Sequence, residues 1–339
     1  MVITMSNVLD RARGALRQGA YPRHEAGVTL VELMVALSIG AFLMIGAVQV
    51  YNQSRQAYVI NESIARVQET AQFALDTIEA DLRMASNWGR HSRSDAVEGR
   101  SIDGDANPLG LPAPGGCGAN WALDLARPIV GTDNAFNLAC GATGVAQGNS
   151  DVVTIRRASV DPVAPAGDRL QLQTTRVQGQ LFVDNNVPAG FDPLTSATHN
   201  LTVNSYYVAQ SSELIPGVPT LRRKSLAVAG GAPAIVDQEI APGIENLQLQ
   251  FGVDVNQDNS VDRYVNPGDG ILTPGSGTFI PAARVMTARV WLVVRSVEQE
   301  PGIIDDRTYQ PGNAPAFVPA DNFRRMQVSK TVLLRNART

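Results

Sequence analysis

The clearest metal-binding pattern in this sequence is a run of oxygen-bearing residues that follows a predicted strand. Its members alternate with other residues: Asp254, Asn256, Asp258, Ser260 and Asp262. Because Ca²⁺ takes about six to eight oxygen ligands, four side chains and the Ser260 carbonyl predict a calcium site. Asn259 stands where such loops favour Gly, and Asn tolerates the left-handed conformation. Val265 replaces the Glu that an EF-hand requires, so the alternative is a polar hairpin turn bonded to its own backbone.

A single acid, Glu32, interrupts an apolar segment of membrane-spanning length. No other residue from Val28 to Val50 is charged. A carboxylate within such a segment is costly unless it is paired, so we expect Glu32 to have a defined partner.

Catalytic patterns are missing from the sequence. The histidines are His24, His91 and His199, and no H-E-x-x-H, G-x-S-x-G or phosphate-binding glycine motif occurs. The chain is therefore predicted not to be an enzyme. Its net charge of -4 disfavours nucleic acid as a partner, since phosphate binding needs a basic surface.

The charges around the apolar segment predict a membrane topology. Four arginines and two acids precede it, and about 20 or more apolar residues are enough to cross a bilayer. By the positive-inside rule, residues 1–27 stay in the cytoplasm and the chain after about residue 50 is exported.

Export bears on Cys117 and Cys140, which are the only cysteines. In an oxidising periplasm they are predicted to form a disulfide worth about 3–4 kcal/mol on the chain-entropy model. The alternative is two unpaired buried thiols. A metal site is not expected there, because no His or third Cys lies nearby in the sequence.

The N-terminal segment has three interpretations: a secretory signal peptide, a plain membrane anchor and a prepilin-type signal. The first lacks a clear A-x-A cleavage site, and the second leaves Glu32 unexplained. The string from Gly27 to Leu33, GVTLVEL, resembles the class III signal of type IV pilins and pseudopilins. Val28 departs from the Phe or Met that this family most often has as its first mature residue.

This resemblance implies cleavage between Gly27 and Val28 by prepilin peptidase, followed by N-methylation of Val28. Residues 1–27 would be a removed leader, and Glu32 would take the fifth mature position, where the family has Glu. In a filament, Glu32 could neutralise the Val28 amine of its own or a neighbouring subunit, because opposite charges attract strongly at low dielectric.

A helical pattern continues beyond the membrane segment. Apolar residues recur every three or four positions: Ile60, Ile64, Val67, Ala71, Ala74, Ile78 and Leu82. One helix is predicted, with residues 28–50 as transmembrane or filament core and residues 51–86 as an amphipathic half. The alternative is two helices with a break at Gly40 or Gly46.

Residues 87–339 are predicted to form a β-rich periplasmic domain. Strands are predicted at 151–157, 169–176, 201–209, 245–255, 287–297 and 325–336, and loops at 108–116, 229–234, 266–281 and 311–319. Residues 87–150 are predicted to be largely irregular. Closely spaced strands favour an antiparallel sheet, so the predicted fold class is α+β, a long N-terminal helix packed on that sheet.

The length of the chain and its C-terminal Leu334-Arg335-Asn336 resemble the PilW-type minor pilins. The resemblance implies a minor pilin that helps prime a type IV pilus, with other minor pilins, the major pilin, prepilin peptidase and an inner-membrane assembly platform as partners. It would lie in the inner membrane with a single pass, then in the pilus. The alternatives are a minor pseudopilin of a type II secretion system and, more remotely, a membrane-anchored calcium-dependent adhesin.

Overall fold

The computed structural model describes residues 27–101, 106–118 and 120–338. The expected leader therefore lies outside the described residues, apart from Gly27. Contacts divide the chain into two units, residues 1–57 and residues 58–339, and the second is called the globular unit below.

A single helix, α1, runs over Leu30–Met84, so the predicted helix is confirmed without a break at Gly40 or Gly46. Each glycine costs a helix only about 1 kcal/mol relative to Ala, and the segment has no Pro. The helix ends two residues before the predicted boundary. Ser86 then takes a left-handed conformation with φ of 64°, a common way to terminate a helix.

The two parts of α1 differ in burial. The side chains from Leu30 to Val59 are exposed, whereas the predicted stripe is buried from Val67 to Leu82 in the globular unit. Ile60 and Ile64 are half-buried. The stripe of apolar side chains at helical spacing is thus confirmed as the packing face.

Eight strands form the first sheet in the described residues, with neighbours in the order β1-β5-β4-β6-β3-β2, and with β7 joining β6 to β8. Their bounds are β1 Val97–Glu98, β2 Ile129–Thr132, β3 Val152–Ala158, β4 Ala166–Thr174, β5 Gly179–Asp184, β6 Ala197–Ala209, β7 Thr220–Ala229 and β8 Ala232–Pro242. The β1–β5 pair is parallel and the other pairs are antiparallel. The sheet is therefore mixed rather than purely antiparallel.

Four strands form a second, antiparallel sheet in the order β10-β9-β11-β12. Their bounds are β9 Ile244–Asp254, β10 Arg263–Val265, β11 Arg284–Arg295 and β12 Arg325–Leu333. The predicted inward faces are confirmed, because Leu247, Leu249, Phe251 and Val253 on β9 are buried, as are alternate residues of β11 from Ala288 to Val294. The α+β fold class is confirmed.

Two large hydrophobic cores and a small third cluster around Tyr207 lie in the described part of the globular unit. The larger one joins the buried stripe of α1 to β9, β11 and the inner side chains of β3, β6 and β7. The second lies under residues 111–126 and includes Trp88, Trp121, Leu172 and Leu181. Because α1 fills the larger core, the sheets cannot bury their inner faces without it.

The predicted loop at 229–234 is wrong for most of its length. Ala229 ends β7 and Ala232 begins β8, and Gly230 and Gly231 make a two-residue hairpin turn with positive φ at both positions. Both strands were missed because β7 carries charges where a strand usually buries apolar residues. Arg222 and Lys224 are buried there, and each pairs with Asp237 of β8.

Candidate functional site

The expected cleavage point precedes the helix. Gly27, Val28 and Thr29 are non-helical and exposed, and no atom lies within 4 Å of where a β-carbon on Gly27 would be. Val28 is 72% exposed. The peptide bond between Gly27 and Val28 is thus accessible in the described part of the chain, and cleavage there stays a prediction.

Glu32 and Thr29 bond each other at the start of α1. The Thr29 N–H and hydroxyl each donate to Oε2 of Glu32 at 3.0 Å, and the Glu32 N–H donates to the Thr29 hydroxyl oxygen at 3.3 Å. This is a capping box, in which a Thr and a Glu three residues later satisfy donors of the first helical turn. The T-x-x-E spacing was readable in the sequence, but our sequence reasoning assigned Glu32 only to the Val28 amine and missed Thr29.

By length and composition, the first half of α1 could cross a membrane, and its most apolar 18-residue stretch has no buried residue. Exposed side chains on this segment include Leu30, Leu37, Phe42 and Leu43. A helix that is apolar all round and unburied requires a lipid or protein environment.

Within the globular unit, a buried carboxylate ties α1 to the first sheet. Asp81 accepts hydrogen bonds from Arg157 Nε at 2.9 Å, Asn204 Nδ2 at 2.6 Å and Tyr206 Oη at 2.6 Å. Burial and the Asp81 charge raise the pKa of Tyr206 above its usual range. One helix residue is therefore bound by three side chains from β3 and β6.

Ion pairs also join α1 to the C-terminal part of the second sheet. Lys330 of β12 pairs with Glu79, and its Nζ lies 3.4 Å from Oδ1 of Asp76. Glu300 accepts a hydrogen bond from Ser63 of α1 and pairs with Arg324 at 2.8 Å. These contacts align the helix with β12 and with the segment that precedes it.

The disulfide between Cys117 and Cys140 is formed, as predicted, with the two Cα atoms 4.1 Å apart. It links the loop before Trp121 to the loop after β2, at the edge of the second core. Trp121 anchors the same region by donating its indole N–H to the Ser205 hydroxyl at 2.9 Å. The bridge therefore fastens segments with little regular structure onto the first sheet.

The five residues predicted to bind calcium begin with Asp254, the last residue of β9, and continue through the loop that follows it. Asp254 is fully buried, and its carboxylate accepts the N–H groups of Asn256, Gln257 and Asn259 at 3.2, 2.6 and 2.9 Å. Asn259 has φ of 66°, the left-handed conformation expected for it.

The remaining oxygens of this loop also accept local hydrogen bonds. Asp258 accepts the Ser260 N–H at 2.8 Å and its hydroxyl at 2.6 Å, which hold the pKa of Asp258 below its usual range. Asp262 accepts the Val255 N–H at 2.7 Å. Within the described ranges, no three His, Cys, Asp or Glu side chains are grouped to hold a metal ion. The geometry is that of a polar turn whose side chains accept hydrogen bonds from its own backbone, and calcium binding by this loop stays a prediction.

Comparisons with known protein families give two separate matches, one near the N-terminus and one in the C-terminal part of the chain. The model of the prokaryotic N-terminal methylation motif matches residues 22–48, and the model of Type IV Pilus-assembly protein W matches residues 205–336. No curated protein and no solved structure matches the chain. The second match covers the end of β6 and the strands β7 to β12, which include the whole second sheet, and the first covers the capped start of α1. The C-terminal part of the globular unit is therefore similar to the PilW family of type IV pilus-assembly proteins, and the start of α1 carries the prokaryotic N-terminal methylation motif.

Proposed function

We propose that this protein is a minor pilin that joins other minor pilins and helps prime assembly of a type IV pilus. The observation that carries the proposal is the exposed apolar half of α1, which begins at a motif for N-terminal methylation and continues into the core of a folded globular unit. Such an element can leave the membrane only for another apolar environment, which a bundle of pilin helices provides.

In this proposal, prepilin peptidase cleaves between Gly27 and Val28, and Val28 is then N-methylated. Before assembly the protein lies in the inner membrane with a single pass, with residues 87–339 in the periplasm. Its partners are the other minor pilins, the major pilin and the inner-membrane assembly platform. Its role is structural, and none of its residues is assigned to catalysis.

Glu32 is the residue that we expect to govern assembly. Its carboxylate is capped by Thr29 within the chain, and cleavage would create a positive amine on Val28. In the filament, Glu32 would exchange its hydrogen bonds with Thr29 for an ion pair with a Val28 amine. Because an unpaired charge in a low-dielectric environment is costly, only the axial position that forms this ion pair would be favourable for the subunit.

The first experiment tests processing of the full chain in its native host. Gly27→Arg is expected to abolish cleavage, so the protein keeps the size of the precursor on a gel. Gly148→Arg is the matched control, since Gly148 is exposed with no atom near its β-carbon position. A Gly27→Arg protein of mature size would contradict the proposed processing.

The second experiment separates pilus from secretion functions. Deletion of the gene is expected to remove surface pili and twitching motility and to leave protein secretion intact. Loss of secretion with normal pili would instead identify a minor pseudopilin of a type II secretion system. Glu32→Ala is expected to be cleaved normally and yet to fail to restore pili in the deletion strain, whereas Thr29→Val, which removes only the hydroxyl cap, is expected to restore them.

A further inference from the structure

On and beside the outer face of β9 lie three buried amide oxygens that have no hydrogen-bond donor among the described residues. They are Oδ1 of Asn246, Oε1 of Gln248 and Oδ1 of Asn313. Asn246 is 7% exposed and Gln248 is fully buried. A buried acceptor without a donor is costly, so three of them in one region call for a ligand.

The orientation of these amides is fixed by their nitrogen atoms. Nδ2 of Asn246 and Nε2 of Gln248 donate to the Asn149 carbonyl at 2.7 and 2.9 Å, and Nε2 of Gln248 also donates to Oδ1 of Asn134 at 3.2 Å. Nδ2 of Asn313 donates to Oδ1 of Asp133 at 2.8 Å. Rotating any of the three amides would place its nitrogen away from these acceptors, so the oxygens are the atoms left without donors.

The three amides share one neighbourhood formed by separate loops. Asn246 and Gln248 are on the same face of β9 and share the Asn149 carbonyl. A β-carbon on Gly312 would lie 3.0 Å from Cβ of Gln248, so the segment before Asn313 rests directly on this strand.

The charge in this neighbourhood is negative. Asp133 accepts hydrogen bonds from the amide nitrogens of Asn134, Asn313 and Asn266 at 3.0, 2.8 and 3.5 Å, so these donors to its carboxylate are neutral. Arg289, opposite Gln250 on the same face of the sheet, stacks on the Tyr264 ring with Cζ 3.5 Å from its centroid. Several acceptors and one carboxylate without a basic partner are the donor set of a hard cation.

We propose that Ca²⁺ binds at this place, coordinated by the amide oxygens of Asn246, Gln248 and Asn313 and by the carboxylate of Asp133. Calcium accepts Asn and Gln carbonyl oxygens together with carboxylates and water in flexible geometry, whereas Mg²⁺ demands a stricter octahedron and retains its waters. With a single carboxylate the affinity is that of extracellular calcium modules, with a dissociation constant of roughly 10⁻⁴–10⁻³ M. This amide-oxygen site is separate from the loop at 254–262.

Trp291 provides a local probe of the site. It lies opposite Gln248 in the β9–β11 register, and its Cε3 would be 3.5 Å from a β-carbon on Gly312. Tb³⁺ replaces Ca²⁺ at oxygen sites and emits when a nearby indole is excited. Full-length protein in detergent, titrated with Tb³⁺, is therefore expected to emit on tryptophan excitation, and Ca²⁺ is expected to quench that emission by competition.

Four variants assign the signal to these residues. Asn313→Leu is expected to remove the emission, and Trp291→Phe to remove it while calcium binding measured by calorimetry persists. Asp258→Asn, which alters the loop at 254–262, is expected to leave it unchanged. Asn313→Asp adds a carboxylate to the ligands and is expected to tighten Ca²⁺ binding by about tenfold.

The Asn313→Asp variant excludes a folding defect as the explanation, because a misfolded protein would lose Ca²⁺ binding whereas this variant is expected to bind Ca²⁺ more tightly. The proposal is overturned if the emission is the same in wild type and in Asn313→Leu, or if Asp258→Asn alone abolishes it. It is equally overturned if Asn313→Asp binds Ca²⁺ no more tightly than wild type, which would mean that bound water satisfies the three oxygens.

Discussion

Replacing Asp81 by Ala should show how strongly α1 is bound to the first sheet. The Asp81 side chain is 6% exposed and that of its partner Arg157 is 19% exposed, with Nη2 of Arg157 2.8 Å from Oδ1. Removing one member of a buried ion pair costs about 3–5 kcal/mol, because the other charge is left uncompensated. Since Arg157 keeps some contact with solvent, we expect a loss of about 3 kcal/mol in the free energy of unfolding.

Urea unfolding of the full chain in detergent, followed by tryptophan fluorescence, measures this loss. Trp88 and Trp121 are buried in the globular unit and report its unfolding. With an m value of about 3 kcal/mol/M, the midpoint should fall by about 1 M urea. A double-mutant cycle with Arg157→Ala then isolates the coupling between the two side chains.

Asp76→Ala is the matched control for this experiment. Asp76 is on the same helix, its side chain is 55% exposed, and its contact with Lys330 is 3.4 Å long. Exposed pairs contribute little, so this variant should unfold at the wild-type midpoint. Equal midpoints for Asp81→Ala and Asp76→Ala would refute the conclusion that the buried carboxylate fastens the helix to the sheet.

Three further predictions concern the rest of the globular unit. Replacing Cys117 and Cys140 by Ser should lower the free energy of unfolding in urea by about 3–4 kcal/mol, and a reductant should have the same effect on wild type and none on the variant. Burial raises the pKa of Asp151 from 3.8 to about 7. Between these values the folded state holds a proton on Asp151 that the unfolded state has lost, so the free energy of unfolding, measured in a chelator, should fall as pH rises from about 4 to about 7. Asp151→Asn should flatten this dependence. If the loop at 254–262 binds Ca²⁺, calorimetry of the full chain should show heat that Asp258→Asn removes; no heat and no thermal shift in either protein would dismiss that loop as a calcium site.

Strict periodicity in the sequence predicted the parts of the fold that the structure confirms. The stripe from Val67 to Leu82 predicted the packing face of α1, and the alternation from Leu247 to Val253 predicted the buried face of β9. In both segments the apolar residues recur on one face, so burial of that face follows from the spacing of side chains. The spacing did not predict that Asn246 and Gln248, on the polar face of β9, are buried as well.

The hairpin of β7 and β8 was missed because its interior relies on paired charges. Arg222 and Lys224 can be buried because acidic side chains of other segments lie beside them, among them Asp237 of the next strand with contacts of 2.7 and 2.6 Å. A pattern of hydrophobicity within one strand cannot register a partner supplied by another strand. The Gly230-Gly231 pair was the available local signal, since two glycines suit a two-residue hairpin turn.

The candidate sites were predictable to different degrees. The disulfide followed from two cysteines and a topology, and Glu32 was identified because a lone acid in an apolar segment is conspicuous. The amide-oxygen site could not be predicted, because its residues come from β9 and from loops more than a hundred positions apart, and Asn and Gln side chains carry no distinctive spacing. Only the folded chain brings Asp133, Gln248 and Asn313 together.

The packing of α1 has a consequence for the order in which the protein can fold. The helix is made first and β12 last, yet Lys330 of β12 pairs with Glu79 of the helix across 251 positions of sequence. Contacts this distant carry a large loop-closure entropy and slow the folding of a domain. Until β12 can pack against the helix, the buried stripe of α1 remains uncovered on one side, so a newly made chain presents an exposed apolar surface. The globular unit therefore cannot complete its folding before β12 is available. A truncation that removes only β12 should yield an aggregating chain rather than a smaller folded domain.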